Sequence, residues 1–317
     1  MKARELLTRG GPLLGLILVG ALFGALVGPQ FFGPGNLELI ARQTAIVGTA
    51  ALGMTLIIAA GGIDLSVGSV ISLSTVVIAL VLRRAASPAG AAAMGVGAAA
   101  LCGLATGVLV TGLRVVPFIV TLGMMLLVRG AAKGLADERR IEAPVTWLND
   151  LLRTHARGGG ILLPSGIWIL IAMALLVAGA LRYTRFGRHL LAIGSNERTA
   201  RLCGVRVEPC KIAVYTISSA LAGVAGVMQF AKLSVGDPTV AVGLELDVIA
   251  AVIIGGGSLL GGKGTVFGTL VGAVLMTVIQ IGCSQRGFPN WVQQIVTGGV
   301  IVAAVALDRW RQGAQAA

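Results

Sequence analysis

Charged side chains are scarce in this sequence, 12% of 317 residues, against the ~25% usual in soluble domains. With 56% hydrophobic residues and a mean hydropathy of +0.92, that shortage excludes a soluble globular fold. Histidine occurs twice and cysteine four times (Cys102, Cys203, Cys210, Cys283), with no Cys-x-x-Cys pair. Neither a metal centre nor a disulfide framework is therefore expected, and the cysteines read as small apolar residues. No His/Asp/Glu or Cys/His set falls in one connection at catalytic spacing, so no enzyme and no cofactor is expected. The net charge of +12 does not point to nucleic acid. Its basic residues lie in the connections between apolar runs, as membrane topology requires.

What is present is a series of apolar runs of about 17–21 residues, the length that crosses a ~30 Å hydrocarbon core. Ten are legible, at residues 12–27, 39–60, 65–82, 85–113, 117–135, 161–181, 212–231, 244–260, 265–281 and 291–307. An all-α polytopic membrane protein of about ten transmembrane helices in one domain, residues 1–317, is expected. The high glycine and alanine content suits close helix packing. The first run follows Lys2, Arg4 and Arg9 but exceeds the 7–15 apolar residues usual in a signal peptide, and reads as an uncleaved span. The connection at residues 182–211 holds seven basic residues against Glu197 and Glu208, whereas residues 137–160 hold four of each sign. Lys and Arg mark the cytoplasmic side. The 182–211 loop, Arg114 and both termini are therefore placed in the cytoplasm. The same alternation puts Arg83 and Arg84 outside, so residues 39–84 are expected to include a broken or re-entrant helix.

The densest irregularity is Ala60-Gly61-Gly62-Ile63-Asp64-Leu65-Ser66-Val67-Gly68-Ser69. Each of Gly61 and Gly62 weakens a helix by about 1 kcal/mol relative to alanine. A carboxylate at membrane depth costs roughly 2.5–3.5 kcal/mol. Three readings stand: a turn in which Asp64 caps the next helix, a helix break lining a water-filled path, or a titrating carboxylate in a proton-coupled carrier. A second cluster joins Glu245 and Asp247 to Gly255-Gly256-Gly257-Ser258 and on to Gly264. Gly257–Lys263 matches G-x4-G-K, but Gly264 follows where a phosphate loop needs Ser or Thr for Mg²⁺. A glycine-rich helix break is expected instead, and its echo of the first cluster suggests an internal repeat. In the basic loop, Ser195 or Asn196 can cap a short helix, with Glu197 at its start, Arg201 four residues on, and Gly204 as its stop. That helix serves either to keep the loop in water or to dock a cytoplasmic partner.

The segments GMTLIIAAGGIDLSVGSVISL, VPFIVTLGMMLLVRG, FGRHLLAIGSNERTARLCGV and ELDVIAAVIIGGGSLLGGKGTVFGTLVGA resemble, in that order, the permease subunits of bacterial ABC sugar importers of the ribose/xylose/arabinose/galactose type. The resemblance implies a multi-pass inner-membrane permease that translocates a monosaccharide. Its implied partners are a cytoplasmic ABC ATPase, a periplasmic sugar-binding protein, a second permease subunit and membrane lipid. It implies that Asn196, Glu197, Ala200, Arg201 and Gly204 belong to the coupling helix that contacts the ATPase. It also implies that Gly61, Gly62, Asp64, Ser66, Gly68, Ser69, Glu245, Asp247, Gly255, Gly256, Gly257 and Ser258 lie at helix breaks along or beside the path. The sequence departs from the family pattern at Thr199, Cys203, Leu244 and Gly257, which bears on the identity of the sugar. The rival readings are a branched-chain amino-acid ABC permease and a proton-coupled secondary carrier.

Overall fold

The structure, a computed structural model, describes residues 2–153 and 163–316, with side chains from residue 10 to 153 and from 163 to 306. Its helices are α1 (Lys2–Val27), α2 (Pro34–Ala59), α3 (Val67–Arg83), α4 (Pro88–Leu113), α5 (Pro117–Leu135) and α6 (Ser165–Tyr183). They continue with α7 (Arg185–Ser195), α8 (Glu197–Leu202), α9 (Val207–Leu233), α10 (Leu244–Ile254), α11 (Val266–Gln285) and α12 (Asn290–Ala316). β1 (Ile141–Glu142) and β2 (Val235–Gly236) make a short antiparallel ribbon. Among the described residues, seven helices are long and apolar enough to cross a membrane. The fold is therefore the expected all-α polytopic one.

Local chemistry sets the boundaries. Pro34, Pro88 and Pro117 open α2, α4 and α5, where the missing N–H would have had no helical partner. Ser87, Thr184 and Thr265 accept from the backbone N–H of Gly90, Gly187 and Gly268, each at 3.2 Å, and so satisfy first-turn donors of α4, α7 and α11.

Packing centres on α2, which is buried along most of its length, with α9 and α11 beside it. Backbones approach closely where side chains are smallest. Gly53 sits against Ser218, and Gly103 against the Tyr215 carbonyl and Ser219, with no space for a Cβ at either. Gly223 meets Ala99 in the same way, so α4 and α9 run antiparallel along a seam of small residues. Two ends of the bundle can be told apart. One holds α7, α8, the start of α9 and the end of α2; the other holds the β1–β2 ribbon and the end of α3.

Two expectations are revised, the span at residues 244–260 and the pairing within the internal repeat. The run at residues 244–260 is not one span. Its helix, α10, has 11 residues, about 16 Å at 1.5 Å per residue, and then Gly255 and Gly256 (φ +91°) turn the chain. The break expected within residues 39–84 is present, at residues 60–66, and leaves α2 whole. Arg83 and Arg84 remain at the ribbon end, so the break does not relocate them. The internal repeat does not pair the two glycine-rich clusters, as described next. The expected beginning of a span at Ile161, and residues 154–160 of the polar connection, lie outside the described residues.

Candidate functional site

A long helix, a non-helical stretch and a short helix occur twice: α2, residues 60–66 and α3; then α9, residues 234–243 and α10. α2 ends beside α7, whereas α9 ends at the ribbon. The two short helices consequently run in from opposite directions, and their first turns meet. Gly68, second in α3, lies so close to the Ala241 carbonyl and Glu245 Oε2 that a Cβ there would strike both. Such opposed half-helices are the arrangement of inverted repeats, in which helix N-termini face a shared site. The unit that repeats is thus long helix, break and half-helix, and the partner of the 60–66 break is the 234–243 connection.

α5 holds both stretches in place. Thr121 Oγ1 donates to the Ile63 carbonyl at 3.1 Å. Further along, Arg129 Nη1 donates to the carbonyls of Val240 (2.7 Å) and Pro238 (3.3 Å). The rise between residues 121 and 129 is ~12 Å, which measures the offset of one break from the other.

Asp64 is fully buried. Its Oδ1 accepts from the Ser66 N–H (2.8 Å) and the Ser66 hydroxyl (2.6 Å), closing a turn of the type Asp favours. The N-cap position of α3 belongs to Ser66, not Asp64, and no side chain caps it. Asp64 therefore shapes the break before the helix rather than capping it. Asp64 Oδ2 and the Tyr215 hydroxyl are both buried without a hydrogen-bond partner among the described residues, and that hydroxyl lies against Gly62.

Glu245 and Asp247 are two residues apart on α10 and so point to opposite sides of it. Glu245 Oε1 accepts from the Gly243 N–H at 3.2 Å, while Oε2 faces Gly68. Asp247 is buried and accepts from Gln280 Nε2 of α11 at 2.5 Å. Ser69 is also buried, on the first turn of α3.

The second glycine-rich cluster closes onto the first at the α7–α8 end. Gly255 packs on the Gly268 backbone and Gly257 on Val252, and Ser258 Oγ accepts from the Leu260 N–H at 3.3 Å. Gly262 donates its N–H to the Ala59 carbonyl at 3.0 Å. Gly61, Gly194 and Gly261 meet beside that bond, with the Cβ position of Gly194 occupied by the Ala59 carbonyl. Gly61 (φ +80°) and Gly261 (φ +87°) also take left-handed backbone conformations, which glycine adopts without strain.

α8 forms where the motif places it. Asn196 Oδ1 accepts from the Thr199 N–H at 2.9 Å, and Gly204 (φ +83°) ends the helix. There the Gly204 and Val205 N–H groups return to the carbonyls of Arg201 and Ala200, the bond pattern of a glycine stop. Ala200 is buried under the helix. Arg201 pairs with Glu197 (3.4 Å) and Glu208 (2.5 Å), and Lys211 with Glu197 (2.6 Å). The hydrogen bond from Arg201 holds the Glu208 carboxyl below its ordinary value. These four residues, with Arg114, line an open cavity of about 610 Å³ between α8 and the α4–α5 turn.

Several members of this arrangement are not singled out from the sequence: Thr121, Arg129 and Gly194 within the quoted segments, and Tyr215 and Gln280 outside them. Arg129 was the most detectable, since a cation within an apolar run calls for a partner.

Residues 36–305 match the family described as "Branched-chain amino acid transport system / permease component". The chain belongs to this permease family. The permease is 40% identical to the ribose import permease protein RbsC of Escherichia coli (strain K12) over 302 residues, 95% of this chain and 93% of that one. It is 34% identical to the fructose import permease protein FrcC of Rhizobium meliloti over 305 residues, covering 94% and 84% of the two chains. With the L-arabinose ABC transporter permease protein AraH of Azospirillum brasilense it shares 34% over 310 residues, 97% and 89%. No solved structure matches the permease.

Proposed function

We propose that this chain is the membrane-spanning subunit of an ATP-driven ABC importer that carries a monosaccharide across the bacterial inner membrane. The observation that carries the reading is the set of sugar import permeases, 34–40% identical along nearly the whole chain. The α7–α8 end faces the cytoplasm, because the excess of Arg and Lys lies there, and both termini lie on that side. ATP is hydrolysed on a separate ATPase that grips α8 around Asn196, Glu197, Ala200, Arg201 and Gly204. A sugar-binding protein delivers at the ribbon end, and a second permease subunit completes the pore.

The junction of Gly61, Gly194 and Gly261 supports a route for coupling. α7 leads directly into α8 at Asn196, and Gly194, near its end, touches the last carbonyl of α2 and the α10–α11 loop. Movement of α8 therefore reaches the 60–66 break and the α10–α11 loop through backbone contact. The half-helices then tilt about Gly61-Gly62 and Gly255–Gly257, and access alternates around their meeting point.

Reconstitution tests the reading. The chain, placed with an ABC ATPase and a sugar-binding protein from the same organism in liposomes loaded with ATP, should take up D-ribose, D-fructose or L-arabinose. Uptake of leucine instead would favour the amino-acid reading that the family description names. Uptake driven by a pH gradient without ATPase would favour a secondary carrier.

A further inference from the structure

A cavity of about 350 Å³ lies beside the meeting point of α3 and α10. Its wall includes Ser69 of α3, Met125, Arg129 and Lys133 of α5, Thr239 of the 234–243 connection, and Glu245 of α10. That volume is near the low end of the ~300–1,000 Å³ typical of small-molecule sites, and it suits one pentose or hexose with water. Met125, Leu126 and Val242 make most of the wall apolar, with a few hydroxyl and charged groups set among them, the pattern usual in small-molecule sites. At the depth of the bilayer such polar groups are costly unless they have a use.

Two of these groups are unsatisfied. Ser69 is fully buried, and its hydroxyl has no partner among the described residues. Glu245 spends Oε1 on the Gly243 N–H, while its buried Oε2 has no partner among the described residues. A buried polar atom left unpaired costs about 1–3 kcal/mol, and here two stand on the wall of one cavity. Arg129 is fixed by the Val240 and Pro238 carbonyls through Nη1 alone, which leaves other guanidinium donors. Lys133 is exposed and lies toward the ribbon end, so the cavity is reached from the side where the binding protein delivers.

The combined chemistry is one carboxylate acceptor, one hydroxyl of either sense and fixed cationic donors. A free cation would meet Arg129 and Lys133, and a free anion would meet Glu245. A neutral ligand that both donates and accepts along its length matches all of them. The geometry points to a transient binding site for a neutral polyhydroxylated sugar between α3, α5 and α10, with Glu245 and Ser69 taking its hydroxyls and Arg129 as a positioning residue. This rests on the importer reading and places the sugar within it.

The test uses the reconstituted ATPase–permease–binding-protein assembly with D-ribose, D-fructose and L-arabinose as probes. Ser69→Ala and Glu245→Gln should each lower Vmax at least tenfold for the transported sugar, with the thermal midpoint unchanged. In a background with the four native cysteines replaced, Met125→Cys should react with a membrane-impermeant thiol reagent added from the binding-protein side. Turnover with the transported sugar should slow that reaction at least fivefold; turnover with sugar-free binding protein should not. Wild-type Vmax and sugar preference in both variants, with no protection of Met125→Cys, would overturn the site while leaving the importer reading intact. Failure of the wild-type assembly to import any of the three sugars would overturn both.

Discussion

Gly262 donates its backbone N–H to the carbonyl of Ala59 over 3.0 Å, tying the α10–α11 loop to the last turn of α2. Gly194 packs on the same carbonyl so closely that any Cβ would overlap it. Three segments far apart in the chain are thus joined by main-chain contact where α7 leads into α8. Overpacking of this kind costs typically 1–3 kcal/mol. Gly194→Ala should therefore lower the thermal midpoint in detergent and abolish sugar-stimulated ATPase activity. Gly97→Ala, where nothing lies within 4 Å of the Cβ position, should do neither.

Gly68 is the corresponding contact between the half-helices. Gly68→Ala drives a methyl group into the Ala241 carbonyl and Glu245 Oε2. Transport should fall more than tenfold while the permease still binds its ATPase. Uptake and co-purification, measured side by side, check this.

Glu197 sits between Arg201 and Lys211 on the exposed face of α8. Glu197→Arg replaces two attractions with repulsion and reverses the favourable acid at a helix N-terminus. Sugar-stimulated ATPase activity should drop several-fold, with the permease still folded and membrane-inserted. Unchanged stimulation would remove α8 from the ATPase contact.

Asp64→Asn keeps the Oδ1 acceptor that closes the turn to Ser66 and removes the ionisable group. Transport should survive Asp64→Asn and fail in Asp64→Ala. Loss of transport in both, together with dependence on a pH gradient, would restore the proton-coupled reading.

Glu208 has its pKa lowered, first by the hydrogen bond from Arg201. Its folded-state value lies below the unfolded one, so its contribution is complete above about pH 4.3, the ordinary glutamate value. It is lost as the pH falls through the lowered folded value. Hydrogen exchange of residues 203–211 should accelerate only in acid, and Arg201→Gln should bring that acceleration to higher pH. The pair is exposed, so the global unfolding midpoint at neutral pH should barely move.

The sequence by itself determined the class of this protein and the details that act over a few residues. Run length and low charge imposed membrane helices, because the bilayer leaves no other use for such segments. Asn196 and Gly204 delimited α8, because caps and stops are local chemistry. The 60–66 break was legible from paired glycines and a lone acid. Only the tertiary structure decided how the breaks relate. Run length counted residues 244–260 as a span, since hydropathy does not register that Gly255 and Gly256 turn the chain after 11 helical residues. Similarity of composition paired two glycine clusters that in fact lie together at one end. Gly68 meets Glu245 because α2 and α9 run in opposite directions and return their half-helices to one point, and direction is a property of packing that no local motif carries.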